Sequence, residues 1–183
     1  MLKRLRYRNH TPTTAATDRL ASLALAGLIS LSAAPAMASG ESTDAHLSAD
    51  TWESLLTEAR AQARQCGGDS YAEASPVTWD ARLGAAAQAH SEDMANMGQM
   101  SHEGSEGKVL ADRLGEAGYE ARAWAENVAA GQRDAASVVA AWLDSPGHCA
   151  NIMSTDYEEF GAGVDRDESG KPYWTLVLAA PRG

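Results

Sequence analysis

The spacing of apolar residues changes along the chain from helical steps to strict alternation, which predicts a helical part followed by a strand-forming part. Trp52, Leu55, Leu56, Ala59, Ala63 and Cys66 recur at three- and four-residue steps. That stripe predicts an amphipathic helix, with Asp50 and Glu53 as a capping-box variant, Gly67-Gly68 as its stop and Cys66 on its buried face. After a loop over residues 69–78, Leu83, Ala87, His90, Met94 and Met97 alternate steps of four and three up to Gly98. This is a second helix, with His90 on its inward side. A shorter helical stretch over residues 108–117 ends at Gly118, and a fourth helix runs from about Asp134 to Leu143 until Pro146-Gly147 terminates it. Near the end, Phe160, Ala162 and Val164 alternate with small or polar neighbours, and Tyr173, Thr175, Val177 and Ala179 form a second run. The Asp-Glu-Ser-Gly-Lys segment between them predicts a β-hairpin. An earlier strand is expected around residues 124–129. Helices followed by antiparallel strands predict an α+β layered domain.

The first 38 residues break this pattern. Basic residues (Lys3, Arg4, Arg6, Arg8, Arg19) precede the apolar run Leu20 to Ala34, and Ala36-Met37-Ala38 supplies small residues for signal peptidase. A signal peptide over residues 1–38, cleaved after Ala38, is expected, and with it a secreted or periplasmic location. The apolar run is shorter than the roughly 20 residues that cross a bilayer, so no stable membrane insertion is expected after cleavage; a retained anchor is the alternative. Residues 39–49 are polar and lack periodicity, as in a flexible leader. Residues 39–183 are enough for one core and too few for two ordinary domains, so a single domain is expected over residues 50–183.

Charge narrows the partners. The leading segment holds five of the fifteen Lys and Arg and one of the 25 Asp and Glu, leaving 10 basic and 24 acidic residues, a net charge near −14 with His neutral. The remaining positive charges are scattered, whereas phosphate-backbone binding needs them clustered, so nucleic acid is not an expected partner. Cys66 and Cys149 are an even pair in an exported chain, which reads as a disulfide. Two separate buried thiols are the other arrangement.

Three short segments concentrate reactive side chains: Met100-Ser101-His102-Glu103-Gly104, Trp124 to Ala129, and Ser145 to Met153. All are read as loops or element ends, where a scaffold presents functional groups to solvent. Their order, "SHEG", "AENVAAG", "WLDSPGHCANIM" and then "EEFGAGV", resembles the bacterial branch of the CAP superfamily of cysteine-rich secretory, antigen 5 and pathogenesis-related proteins, over about residues 52–181. The resemblance implies a three-layer α-β-α sandwich with an antiparallel sheet and a central cleft lined by two histidines and acidic partners. Matched by motif, His102 and His148 are the histidines and Glu126 the acid of the Glu-Asn segment. Many animal and plant relatives carry a second glutamate three residues after the tryptophan that matches Trp142. This chain has Ser145 there, with Asp144 just before it as a substitute if the helix end turns it inward. His90 is a further cleft candidate, or a core histidine.

Two neutral imidazoles, His102 and His148, supply two nitrogen ligands to a zinc-like divalent cation, with a carboxylate orienting a ring or a bound water. A hydrogen-bonded cluster that only braces the cleft is the alternative. A catalytic zinc takes three protein ligands, so the case for an enzyme is weak and no catalytic residue is assigned. No G-x-S-x-G elbow supports Ser91, Ser101 or Ser145 as a nucleophile, and a bridged Cys149 is excluded from that role. The expected activity is that of a monomeric binding module for a small apolar, lipid or cell-envelope ligand, in keeping with the sterol and lipid binding the resemblance implies. A metal-assisted hydrolase of peptide or envelope polymers, and a structural or signalling surface protein, are the alternatives.

Overall fold

The computed structural model describes residues 48–183; the expected signal peptide and the expected leader up to residue 47 lie outside the described residues. Helix α1 (Ala49–Arg60) opens where the Ser48 side chain accepts the Thr51 N–H, and it buries Trp52, Leu56, Ala59 and Arg60. It ends well short of Cys66, against the expectation of one helix up to Gly67-Gly68. A continued helix would carry Cys66 away at 1.5 Å per residue. Instead the chain folds back as a small antiparallel hairpin, β1 (Arg64–Cys66) and β2 (Asp69–Tyr71). Gly67, at φ 65°, makes the left-handed turn between them. Cys66 is thereby bonded to Cys149.

Strand β3 (Thr78–Trp79) leads into α2 (Ala81–Met97), whose N-terminus is capped by the Asp80 carboxylate accepting from the Arg82 and Leu83 N–H groups. Gly98 ends it in the left-handed conformation, as its place after the last apolar step predicts. Helix α3 (Leu110–Glu116), strand β4 (Ala121–Ala130) and helix α4 (Ala135–Asp144) follow near their expected positions. Pro146-Gly147 does more than terminate α4. Pro146 is the first residue of α5 (Pro146–Met153), because proline lacks only an N–H that a helix start leaves unpaired. The terminal hairpin is β5 (Glu159–Arg166) and β6 (Pro172–Pro181).

The larger sheet has the order β3-β5-β6-β4. The β4–β6 and β5–β6 ladders are antiparallel, as expected, while β3 adds one short parallel edge to β5. Strand β6 is buried on both faces. Val177 and Ala179 pack with Leu83 and Ala87 of α2 and Leu114 of α3, whereas Trp174, Leu176 and Leu178 pack with Trp52 of α1, Val138 and Trp142 of α4 and Ile152 of α5. The result is the α-β-α sandwich the sequence implies. Among the described residues no helix is long and apolar enough to cross a membrane.

Candidate functional site

Strand β4 lies at the edge of the sheet. Alternation sends Glu126 to the face covered by α2 and α3, and Asn127 to the face covered by α5. The Glu126 side chain is only 5% exposed, yet both of its oxygens are engaged. Oε1 accepts from His102 Nδ1 at 2.9 Å, and Oε2 accepts from Arg113 Nη2 at 2.5 Å. Asn127 donates to the His148 carbonyl at 3.1 Å and accepts from the Asn151 amide at 2.8 Å, tying α5 to the same strand. The strand expected around residues 124–129 is the inner part of β4, with Glu126 in its middle rather than at an element end, and His148, expected on a loop or element end, lies on α5.

His102 sits on the segment between α2 and α3, and both helices pin it. His90 of α2 is fully buried and donates from Nε2 to the Ser101 carbonyl at 2.8 Å. Asp93, one turn further on, accepts the Ser105 N–H at 2.7 Å. Arg113 of α3, itself 6% exposed, donates to the Lys108 carbonyl as well as to Glu126. The His102 side chain is 61% exposed. Because its Nδ1–H is committed to Glu126, its tautomer is set and the Nε2 lone pair is free. Burial first, and the neighbouring His102 second, hold the His148 imidazole below its usual range. His90 also approaches Glu126, with Nε2 3.8 Å from Oε1. Asp144, by contrast, is exposed at the end of α4.

The residue that sequence reasoning missed is Arg113. It was counted among scattered surface charges, yet it lies between Leu110 and Leu114 on the buried side of α3. That placement within an apolar stripe was its one legible signal. Arg60 is a second case: its guanidinium is buried and donates to the Ile152 and Ser154 carbonyls at 2.6 and 2.8 Å, satisfying the end of α5. Ser91 bonds Thr175 Oγ1 rather than any histidine, and Cys149 is bridged.

Beside His102 opens a pocket of about 500 Å³ lined by Val109, Leu110, Ala111, Trp124 and Glu126. Trp124 is 45% exposed and Val109 is exposed too. As ligands for a cation, His102 and His148 offer two imidazoles. Each Glu126 oxygen already accepts one hydrogen bond, from His102 or Arg113, so the carboxylate is oriented by those partners rather than presented as the third protein ligand of a catalytic zinc. Among the described residues no group of three or more His, Cys, Asp or Glu is placed to hold a metal ion.

His90 makes the site a source of pH-dependent stability. Burial lowers its basicity, and Arg113 acts in the same sense; the Glu126 and Asp93 carboxylates and the Ser101 carbonyl oppose this without overcoming it. In the unfolded chain the ring takes a proton near pH 6.5, while the folded protein takes it only at lower pH. The unfolded state therefore binds more protons in that window, and stability falls as pH drops through it and is flat above. Chemical unfolding at about pH 7.5 and 5.5 should show a smaller loss for His90→Gln than for the unsubstituted protein. Equal losses would remove His90 from the account.

A family model described as the cysteine-rich secretory protein family matches residues 54–178. The uncharacterized protein YkwD of Bacillus subtilis (strain 168) is 29% identical over 167 residues, covering 90% of this chain and 62% of its own length. The uncharacterized membrane protein YlbC of the same strain is 36% identical over 90 residues, 49% of this chain and 26% of its own. The chain thus spans less than two thirds of either relative. Among solved structures, an extracellular protein containing an SCP domain from Bacillus anthracis superposes with a TM-score of 0.53 at 27% identity, over 57% of this chain and 34% of that one. An outer surface protein from Borrelia burgdorferi superposes with a TM-score of 0.62 at 17% identity, over 73% of this chain and 92% of that one, a likeness of fold alone.

Proposed function

The chain belongs to the cysteine-rich secretory protein family, and on that premise we propose that it works outside the cytoplasm as a binding module for a small apolar or cell-envelope ligand. The ligand occupies the cleft at His102, Glu126 and His148. Export by cleavage after Ala38, leaving a short leader before a single domain, belongs to the same proposal. The observation that carries it is the pairing of a pre-oriented, exposed imidazole with an apolar shelf: His102, aligned by Glu126 and Arg113, beside Trp124 and Val109. A concave apolar wall with a few converging polar groups is the usual form of a ligand site. The two imidazoles would meet a polar head, and Trp124 the apolar part.

Titration of the exported protein with a long-chain fatty acid, a sterol and peptidoglycan fragments, read by native mass spectrometry and tryptophan fluorescence, tests the proposal. At least one should bind, and His102→Ala should weaken it about tenfold, the worth of one good polar contact. Failure of every lipid, glycan and peptidoglycan fragment to bind would sink it.

A further inference from the structure

The outward edge of β4 carries a second kind of recognition chemistry. In an antiparallel strand the N–H and C=O of one residue point to the same side, and successive residues alternate. Just beyond the strand, the Gly131 N–H donates to the Pro172 carbonyl at the start of β6, so odd-numbered peptide groups of this stretch turn toward β6. The register agrees: Ala125 faces Leu178, Asn127 faces Leu176 and Ala129 faces Trp174. The even-numbered groups of Trp124, Glu126 and Val128 then face away from the sheet. Trp142 Nε1 reaches the Val128 carbonyl at 3.2 Å from that outer side, as this parity requires. Among the described residues, no hydrogen bond satisfies the N–H or C=O of Trp124 or Glu126, whereas at Val128 the buried Trp142 ring covers the edge.

Open strand edges are usually blunted by lysine, proline, a bulge or a covering segment. Strand β4 (ARAWAENVAA) contains neither lysine nor proline, and its one irregularity lies at Ala121/Ala123, before the open stretch. The unpaired groups lie between the His102 and His148 sides of the cleft, with Trp124 and the apolar pocket at the same level. We propose that the cleft takes an extended peptide segment of about three residues, added as a further antiparallel or parallel strand to β4 at Trp124–Glu126, short of the point where Trp142 covers Val128, with an apolar side chain lodged between Trp124 and Val109. Edge addition of this kind draws affinity from main-chain hydrogen bonds and specificity from pockets for alternate side chains. The near −14 charge of the chain beyond residue 38 favours a cationic segment, through attraction during encounter. This inference rests on the reading of the cleft as a binding site and names the backbone chemistry of its ligand.

The probe is a blocked heptapeptide of alternating lysine and leucine, added to the ¹⁵N-labelled exported protein. In the free protein the Trp124 and Glu126 amides should exchange fast between protected neighbours, and saturating peptide should slow both about tenfold or more. N-methylation of the peptide along one of its two edges should weaken binding about tenfold, while methylation along the other should not. Trp124→Ala should weaken binding by a similar factor with the thermal midpoint nearly unchanged. Absence of binding at millimolar peptide, binding that leaves the Trp124 and Glu126 amides unprotected, or equal tolerance of both methylated peptides would overturn the inference. So would protection that appears on raising protein concentration alone, which would mean that a second copy pairs with the edge. If fatty acid or sterol binds while the peptide does not, the cleft reading stands and only the edge inference falls.

Discussion

Arg113→Met should destabilise the fold by about 3–5 kcal/mol at neutral pH, the typical loss when one member of a buried ion pair is removed and its partner stays. Glu126 is 5% exposed, and among the described residues Arg113 is the one cation whose guanidinium reaches it. Its other contacts are His102 at 2.9 Å and the neutral, buried His90 at 3.8 Å. Methionine fills the space of the arginine stem but leaves the carboxylate with only the His102 hydrogen bond to offset its desolvation. The same change frees the Lys108 carbonyl, so the segment bearing His102 loses an anchor as well. Arg113→Lys should recover little, since an ammonium cannot reproduce the planar fork that meets Glu126 and Lys108 together. The double variant Arg113→Met/Glu126→Gln should regain most of the loss. Urea unfolding of the unsubstituted protein, Arg113→Met, Glu126→Gln and the double variant as a double-mutant cycle measures this; a loss below about 1 kcal/mol for Arg113→Met, as for a surface ion pair, would show that the pair does not brace the site.

The residues of the site were legible in unequal degree, and the reason differs for each. His90 lay on a four-and-three apolar stripe, which is a direct report of the inward side of α2. His102, Glu126 and His148 were picked out by motif resemblance, because no local pattern says that three distant segments meet at the edge of β4. The strand at residues 124–129 was anticipated but not its full length, because the β4 sequence is rich in alanine, a weak strand former, and its extent from Ala121 to Ala130 comes from the ladder with β6. The segment that holds His148 was misread for a physical reason. Pro146 can end one helix or begin another, and only the disulfide to Cys149, the Ile152 side chain in the core and Arg60 at the far end decide for a new helix. Helical spacing continued to Cys66 past the true end of α1 through two alanines, residues equally at home in the turn that follows. Arg113 stayed hidden because charge, read without structure, defaults to the surface.

The glycines of the "EEFGAGV" segment mark a constraint that periodicity alone does not express, since small residues in a strand read simply as filler. A methyl group at Gly161 would stand 2.1 Å from the Gly84 nitrogen and the Leu83 carbonyl carbon, and one at Gly163 would stand 2.5 Å from Gln88 Cα. Helix α2 therefore lies on β5 backbone to backbone, and the obstacle is main chain that cannot rotate away as a side chain tip would. Gly84 in turn leaves room for the Trp79 ring, 2.4 Å from where its own Cβ would be. This contact sets the height of α2 above the sheet, and with it the reach of His90 and Asp93 to the segment that carries His102. Gly161→Ala must push α2 outward, and overpacking a rigid contact of this kind should cost about 3 kcal/mol or more, lowering the thermal midpoint by roughly 10 °C. Gly115→Ala on α3 is the matched control, since nothing lies within 4 Å of its would-be Cβ. There alanine should stabilise by about 0.5–1 kcal/mol through helix propensity. Opposite signs for the two substitutions would establish that Gly161 is required by close approach; a thermal midpoint unmoved by Gly161→Ala would mean that α2 and β5 separate at no cost, and the positioning of His102 by that contact would fail with it.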